Sequence, residues 1–383
     1  MLLKVISKLP IKAQLKLKIL KLYIHSQISF ELKIYNFGST WIDQNLDSIC
    51  TSHIREWLHL PVNSCIKEVQ SLPKKKGGLD IPTLAMLSEK LVLSKRYSMR
   101  NSKHSEINRI WNESSLKHVN LDALILENHS KPATMTKLKS QQTTASENHF
   151  FALQSQGIIV RMVSECISKS NIVDWSVYIE SLSDALFCFA RRAFIQQLPT
   201  SSNLARWGRT QDPFCTLCNS NTTQTNKHVL SNCSSQIALD RYTIRHNHIL
   251  RTLADWIIQV KSVDQLVFVD LDFSIYKPIS EIFTQSCRPD IVLLDNTNIT
   301  VLELTVCHET NLQKSKLFKC NKYCNIRDHL HTKFKNYSLS VCTIEISVLG
   351  FISDISEFLK ITNLPALPRH IMHQLTFQAL SSL

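Results

Sequence analysis

The sequence is poor in glycine, which supplies 6 of its 383 residues. It has no Gly-x-Gly-x-x-Gly segment and no Gly-x-x-x-x-Gly-Lys-Ser/Thr segment, so the two commonest nucleotide-binding loops are absent. It also lacks an apolar run of about 18 residues, the length of a membrane-spanning helix. Lys4 and Lys8 interrupt the first apolar stretch, which is not typical of a secretory signal peptide. We therefore expect a soluble, intracellular protein without either nucleotide-binding loop.

The chain has fewer acidic residues than basic ones. The 31 Asp and Glu stand against 44 Lys and Arg, which gives a net charge of +13 and a pI near 9.2. Such an excess favours a polyanionic partner, and nucleic acid ranks above a membrane because no basic amphipathic anchor is visible. A basic protein without a polyanionic partner is the alternative. With 44% hydrophobic residues the chain can bury a core, which excludes wholesale disorder.

Composition and residue patterns divide the sequence into four regions. Residues 1–98 are rich in lysine and apolar residues and predict an α-helical region. Residues 99–185 open with a stretch rich in Ser, Asn, Gln and Thr, which predicts a polar, solvated linker. Residues 186–237 hold a cluster of Cys and His, and residues 238–383 alternate helix and strand patterns, which predicts an α/β domain with a central mixed sheet. In the first region, helices are predicted over residues 11–30, 41–57 and 84–96, although the alternation of Lys and apolar residues over 16–22 could also form a strand.

Cysteine, with 12 residues, is too sparse for a disulfide scaffold, but one subset has the spacing of a metal site. Two residues separate Cys215 from Cys218, nine more lead to His228, and four more lead to Cys233. Two thiolates on one tight turn, closed by a histidine and a third thiolate, can bind one tetrahedral zinc ion. Four protein ligands leave no open position, so we expect a structural zinc. The alternative is four unrelated polar-loop residues.

A second pattern places two carboxylates on neighbouring predicted strands. Asp290 opens one strand and Glu303, after twelve intervening residues, lies on the next, so a β-hairpin can bring them together. Carboxylate oxygens suit Mg²⁺, which polarises a phosphodiester and activates a water molecule. Nucleases of the PD-(D/E)xK type carry Lys two residues after the Glu, where this sequence has Thr305. Taken alone, the pattern is common by chance.

The helix predicted over residues 312–335 offers a replacement for the missing lysine. Lys319 and Lys322 are three residues apart and therefore share a helix face. From that face a lysine can orient the attacking water and steady the charge on the leaving group. A solvated basic face is the alternative.

Other residues carry less specific signals. Arg and Lys residues suit phosphate contacts, and the Arg-His-Asn cluster on the predicted helix after the zinc motif suits either such contacts or a scaffold. The candidates for nucleic-acid binding are Arg245, His246, Asn247, Arg288, Lys74, Lys75 and Lys76. Cys320, Cys324 and His329 have ligand chemistry at helical spacing, but we interpret them as core or surface residues.

In order along the chain, these motifs resemble the C-terminal half of a non-LTR retrotransposon protein. The resemblance is to the site-specific group that inserts into ribosomal DNA and carries a restriction-enzyme-like endonuclease. In that family a reverse transcriptase is followed by its thumb, a linker, a CCHC zinc knuckle and a PD-(D/E)xK-like nuclease. Residues 1–98 resemble the thumb, 99–185 the linker, 186–237 the knuckle region and 238–383 the endonuclease.

The resemblance is carried by short segments that follow the family's order. They are Pro10 to Gln14, Ile54 to Pro61, Gly77 to Pro82, Trp207 to Cys233, Arg245-His246-Asn247, Arg288-Pro289-Asp290, Glu303, and Lys319-x-x-Lys322-Tyr323. A run of motifs in order is more specific than any one of them.

The resemblance implies that Asp290 and Glu303 hold a catalytic Mg²⁺ while Lys319 and Lys322 assist hydrolysis, and that the Cys and His cluster holds structural Zn²⁺. The nuclease would nick target DNA, and the freed 3′-hydroxyl would prime reverse transcription of the element's RNA. We expect target DNA and element RNA as partners, a nuclear location and no membrane association, and the sequence leaves the oligomeric state open. Fingers and palm are missing, so we expect a truncated copy, or a sequence begun at an internal Met, that cannot polymerise DNA.

Two other interpretations stay open. A catalytically inactive relic would act only as a nucleic-acid-binding module. A stand-alone resolvase-like nuclease would share the α/β region but would not explain the thumb-like residues 1–98.

Overall fold

The structure, a computed structural model of the chain, describes residues 2–35, 37–114, 119–127, 130–166, 169–271, 288–296, 298–323 and 338–381. The chain divides into two compact units, Met1–Ile158 and Ile159–Leu383, and each is described by itself. Among the described residues, no helix combines the length and the apolar composition needed to cross a membrane.

The first unit is built from helices. Its first five are α1 Leu2–Lys8, α2 Ala13–Ile19, α3 His25–Ile34, α4 Ser39–Ile42 and α5 Ser48–Trp57. Two π-helical turns, Leu20–Ile24 and Asp43–Asp47, join α2 to α3 and α4 to α5. Then follow α6 Ile66–Ser71, the 3₁₀ turn Lys74–Lys76 and α7 Leu84–Arg100. The helices predicted in this region are confirmed.

The polar segment that we expected to be a solvated linker is helical. Its described helices are α8 Ser105–Glu113, α9 Val119–Glu127 and α10 Lys131–Ala152, and they belong to the first compact unit. The buried residues of α10 include Thr134 and Leu138, and Leu138 packs with Leu93, Leu124 and Ile125. A narrow apolar stripe is sufficient for a helix that lies on a surface. The polar composition therefore reflects an exposed helix face rather than an unstructured segment.

A buried ion pair connects α7 to α9. Arg96 donates from Nε and Nη2 to the carboxylate of Asp122, each at 2.5 Å, and from Nη1 to the hydroxyl of Ser114 at 2.9 Å. The two charged side chains are 2% and 7% exposed. A guanidinium and a carboxylate that meet in this bidentate way satisfy each other without water.

The second unit surrounds a sheet with helices. Its helices before the sheet are α11 Ile158–Cys166, α12 Lys169–Ser181, α13 Asp184–Phe194, α14 Ser201–Arg206 and α15 Gln236–Val260. After these come β1 Leu266–Val269, β2 Ile291–Asp295, β3 Asn298–Cys307, α16 Leu312–Lys322, β4 Ser338–Ser347, α17 Ser356–Thr362 and α18 Arg369–Ser381. The helix predicted over residues 312–335 is described as far as Lys322, and Cys324 and His329 lie outside the described residues.

The sheet is mixed, as predicted. Its strand order is β1-β2-β3-β4, with antiparallel pairs β1–β2 and β2–β3 and a parallel pair β3–β4. Helix α16 lies in the connection between the two parallel strands. On one face, Leu302 and Leu304 of β3 belong to the same apolar core as Ile249, Leu253 and Ile257 of α15. The sheet and α15 therefore form the rigid support on which the charged residues of this unit are placed.

Candidate functional site

The four predicted zinc ligands converge in the second unit. The ligand atoms of Cys215, Cys218, His228 and Cys233 all lie within 4.8 Å of one another. The Sγ atoms of Cys215 and Cys233 are 3.9 Å apart, and Cys218 Sγ lies 3.4 Å from His228 Nε2. A zinc tetrahedron with bonds of about 2.0–2.3 Å has edges of roughly 3.3–3.8 Å. The four residues therefore fit a structural zinc ion.

Local backbone structure explains this convergence. A single antiparallel bridge between Phe214 and Thr223 closes a short hairpin that carries the first two cysteines. On the other side, a π-helical turn, His228–Asn232, begins with the histidine ligand, and Cys233 follows it in extended backbone. Two short elements thus present their ligands toward one point. In the following text, the zinc module means residues 213–235.

Hydrogen bonds favour the metal-binding form of one thiol. The hydroxyl and the backbone of Ser220 lower the pKa of Cys218 to about 6, and neighbouring Cys215 and His228 act in the same direction. The thiolate is the form that binds a metal, so a lowered pKa makes Cys218 a ready ligand at neutral pH. Burial has the largest effect on Cys233 and raises its pKa.

The β2–β3 hairpin brings the two predicted carboxylates together. Ile291 pairs with Leu302, which puts Asp290 beside Glu303 where the paired strands end. Asp290 Oδ2 accepts the backbone N–H of Leu304 at 2.7 Å. Because side chains alternate along a strand, Glu303 points to the face opposite the apolar core. Glu303 is completely buried, and the Asp290 side chain is 13% exposed.

Helix α16 supplies two amines to these carboxylates. Lys319 Nζ donates to Glu303 and lies 3.8 Å from Asp290 Oδ2, while Lys322 Nζ donates to Glu303 at 3.2 Å. The two lysine side chains are 22% and 25% exposed, so solvent reaches the site on their side. The helix thus brings two amines to Glu303, whereas the side chain of Thr305 on β3 carries none.

Tyr323 completes the environment of Glu303. Its hydroxyl donates to Glu303, and the residue is 1% exposed. Sequence reasoning included Tyr323 in a motif but gave it no role. Its position four residues after Lys319, on the same side of the helix end, was the signal that could have placed it at the carboxylate.

Helix α15 brings a further group to Asp290. His246 Nε2 lies 3.6 Å from Asp290 Oδ1, and His246 Nδ1 lies 3.3 Å from Asn247 Oδ1. Burial opposes ionisation of both partners, but the contact with Asp290 raises the pKa of His246 above its usual value. Conversely, burial raises the pKa of Asp290, but the stronger combined effect of His246 and Lys319 lowers it. The contact therefore favours the protonated form of His246 and the ionised form of Asp290.

The structure assigns Arg245 the scaffold role that the sequence offered as an alternative to nucleic-acid binding. Arg245 is 1% exposed, its Nη2 donates to the Leu230 carbonyl at 3.0 Å, and its guanidinium lies over the ring of Tyr242. Burial lowers its pKa to about 10. Helical spacing explains this, since Arg245 precedes the core residue Ile249 by four positions.

The other basic candidates lie at different places. Arg288, which is 54% exposed, pairs with Asp270 at the end of β1, close to Asp290 in the sheet. Asp270 is an acidic neighbour that sequence reasoning did not use. The turn Lys74–Lys76 belongs to the first unit, where Lys76 pairs with Glu147. Nucleic-acid binding by these lysines stays a prediction.

A structural zinc module is the class of site that the ligand geometry defines best. Residues 160–239 match the family described as zinc-binding in reverse transcriptase. The match contains all four ligands, and it supports a retrotransposon-derived protein with a structural zinc ion. No curated protein matches the chain significantly.

Proposed function

We propose that this chain is the C-terminal part of a site-specific retrotransposon protein and nicks target DNA with the help of a divalent cation. The observation that carries the proposal is the cluster around Glu303. Two carboxylates and two amines meet there from the start of β2, from β3 and from α16, although Asp290 and Glu303 are 13 residues apart and the two lysines lie 16 and 19 residues after Glu303. Such a set of opposed charges, partly open to solvent, is typical of a phosphodiester-cleaving site rather than of a core.

The carboxylate pair fits Mg²⁺. Lys319 Nζ contacts Glu303 and is 3.8 Å from Asp290, so both carboxylates reach a single cationic position. Oxygen ligands from one or two carboxylates, completed by water and phosphate, are the usual environment of Mg²⁺ in nucleic-acid enzymes. Asp290 and Glu303 would hold the ion, which would polarise the scissile phosphate when bound.

The remaining residues of the cluster have distinct tasks in this proposal. One of the two lysines, Lys319 or Lys322, orients the attacking water and the other steadies the negative charge that develops on the phosphate. Hydrolysis that frees a 3′-hydroxyl breaks the bond between phosphorus and O3′, and the leaving oxygen takes up a proton. Tyr323 holds Glu303 in a fixed orientation through its hydroxyl.

The net charge and the zinc module support a proposal of nucleic-acid binding. The chain carries +13, and Arg288 stands partly exposed beside Asp290. We propose that target DNA passes the Asp290 cluster, that the zinc module contributes to nucleic-acid grip, and that element RNA and a nuclear location belong to the parent protein. The freed 3′-hydroxyl then primes reverse transcription by that protein.

The test is nicking of supercoiled plasmid by the full chain in Mg²⁺ and in EDTA. We expect Mg²⁺-dependent nicking that Asp290→Ala and Lys319→Ala abolish or strongly reduce. Lys314→Ala is the matched control, because it removes an exposed lysine from the same helix. Equal nicking by wild type and Asp290→Ala would reject the nuclease assignment.

A second function is favoured if no cleavage occurs. The relic interpretation predicts a chain that retains zinc, binds DNA and cuts nothing under any divalent cation. Electrophoretic mobility shifts with the same plasmid, together with zinc content, separate this binding module from an unfolded protein.

A further inference from the structure

Helix α15 connects the zinc module to the carboxylate cluster. The Tyr242 hydroxyl accepts the N–H of Cys233 at 3.2 Å and donates to the Val229 carbonyl at 2.8 Å. Arg245 donates to the Leu230 carbonyl, inside the same π-helical turn. His246, the next residue along the helix, contacts Asp290. One turn of α15 thus contacts the zinc module through Tyr242 and Arg245 and the proposed metal ligand Asp290 through His246.

A second contact joins the zinc module to the other flanking helix. Lys227, which precedes the ligand His228, donates from Nζ to Asn311 Oδ1 at 3.0 Å. Asn311 lies directly before α16, the helix that carries Lys319 and Lys322. The zinc module therefore touches both helices that supply side chains to the two carboxylates.

The cost of burying Arg245 without a hydrogen bond, together with the shared helix face of Tyr242 and His246, explains how these contacts hold α15 in one position. A buried guanidinium is costly unless it is hydrogen-bonded, so Arg245 favours the helix position in which the Leu230 carbonyl is available. Tyr242 and His246 are four residues apart and share a helix face, so a shift of one moves the other. The segment between the zinc ligands is short and polar, and without the ion it has little apolar area to keep the π-helical turn in place.

We propose, resting on the nuclease function above, that the zinc module positions the nuclease site. The four zinc ligands would hold the turn His228–Asn232 when the ion is bound, Tyr242 and Arg245 connect that turn to α15, and α15 places His246 against Asp290. His246 is a positioning residue in this scheme, since it orients a proposed metal ligand and does not touch the substrate. An intact zinc module would thus raise the affinity of Asp290 and Glu303 for a divalent cation.

The experiment measures Mn²⁺ binding to the full chain by electron paramagnetic resonance, without DNA, beside zinc content and the Mg²⁺ concentration for half-maximal nicking. The variants are His246→Ala, His246→Gln and Tyr242→Phe, with Cys233→Ser as the zinc-free form. Tyr178→Phe is the matched control, a tyrosine of α12 in the same unit that contacts neither site. Tyr242→Phe keeps the ring and a complete zinc ligand set, which guards against simple unfolding.

We expect His246→Ala to weaken Mn²⁺ binding about tenfold or more, the usual cost of losing a group that orients a metal ligand. His246→Gln, whose amide nitrogen can donate to the same carboxylate, recovers part of the loss. Tyr242→Phe keeps one zinc per chain but weakens Mn²⁺ binding roughly threefold and raises the Mg²⁺ requirement for nicking. Cys233→Ser loses zinc and weakens Mn²⁺ binding at least as much.

Distinct outcomes separate this inference from the proposed function. Wild-type Mn²⁺ affinity in both His246→Ala and Tyr242→Phe, in a protein that still nicks DNA, would overturn the positioning role and leave the nuclease intact. A wild-type chain that neither binds Mn²⁺ nor nicks DNA would overturn both. A folded, zinc-free Cys233→Ser with unchanged Mn²⁺ affinity would overturn the role of zinc alone.

Discussion

Asp122 in the first unit and Glu303 in the second are both buried carboxylates, but their partners differ in number and exposure. Asp122 meets one guanidinium, Arg96, in a bidentate contact closed from solvent. Glu303 meets two amines and a phenol hydroxyl, and a second carboxylate lies beside it. The first arrangement pairs one carboxylate with one guanidinium, whereas the second brings two carboxylates, two amines and a hydroxyl together.

This difference separates a structural charge from a candidate functional one. A buried ion pair closed from solvent contributes little net stability, but removing one of its two partners is strongly destabilising. A cluster whose lysines are about one quarter exposed costs less to build, since water solvates part of each amine. Its surplus of charged groups has no evident structural purpose, and this favours the chemical role proposed for it.

Zinc removal is expected to have the largest effect and to act on the second unit alone. Cys215→Ser should release the ion and unfold the zinc module, because structural zinc contributes apparent binding free energies of about 10 kcal/mol or more in small domains. Mass spectrometry of the native chain and limited proteolysis across residues 213–235 check this. Cys320→Ser, outside the ligand set, is the control, and one zinc per chain persisting in Cys215→Ser would contradict the ligand assignment.

Replacing Glu303 or Asp122 by its amide tests whether only the carboxylate of the second unit has a role in DNA cleavage. Glu303→Gln should lower the nicking rate about 1,000-fold, since it removes a charged metal ligand. Asp122→Asn should leave the nicking rate of the folded protein unchanged. The comparison fails if the two variants lose activity equally while both remain folded.

Removing Arg96 or Lys319 tests how much each cationic partner of a buried carboxylate contributes to stability. Arg96→Met should destabilise the first unit by about 3–5 kcal/mol, because it leaves the Asp122 carboxylate buried and uncompensated. Lys319→Met should cost less than Arg96→Met, because Glu303 keeps Lys322 and Tyr323 and the lysine is partly exposed. Urea unfolding of both variants gives the two free energies, and similar values would erase the distinction.

The smallest expected effect is a pH dependence of the His246–Asp290 pair. The folded-state pKa of His246 is raised, so its stabilisation is complete below the unfolded value of 6.5 and is lost as pH rises through the folded value. The pKa of Asp290 is lowered, so its stabilisation is present above 3.8 and is lost as pH falls through the folded value.

The pair therefore stabilises most between those two values. Measured without added divalent cations, the loss of thermal stability in His246→Gln should be larger near pH 6 than near pH 9. His248→Gln, an exposed neighbour on α15, is the control. A loss that does not change with pH would mean that the two side chains are not an ion pair.

Much of the fold and part of the candidate site could be predicted from the sequence. The zinc ligands were predictable because short spacing confines them to one turn and one helix start. The mixed sheet was predictable because strand and helix patterns alternate clearly after residue 238. The expectation of a solvated linker failed for the polar stretch that opens residues 99–185, because the composition of α10 reflects its exposed face and does not show its narrow buried stripe.

The sequence by itself determined which residues can carry chemistry: four zinc ligands, the carboxylates Asp290 and Glu303, and a basic helix after them. Local spacing and residue type are sufficient for that. Only the tertiary structure decided how they meet, because the hairpin register sets Asp290 beside Glu303 and the crossover of α16 brings its lysines back onto β3. It also buried Arg245 and brought His246 to Asp290. Those contacts join residues 13 to 44 positions apart, and no local pattern in the sequence records the packing that sets them.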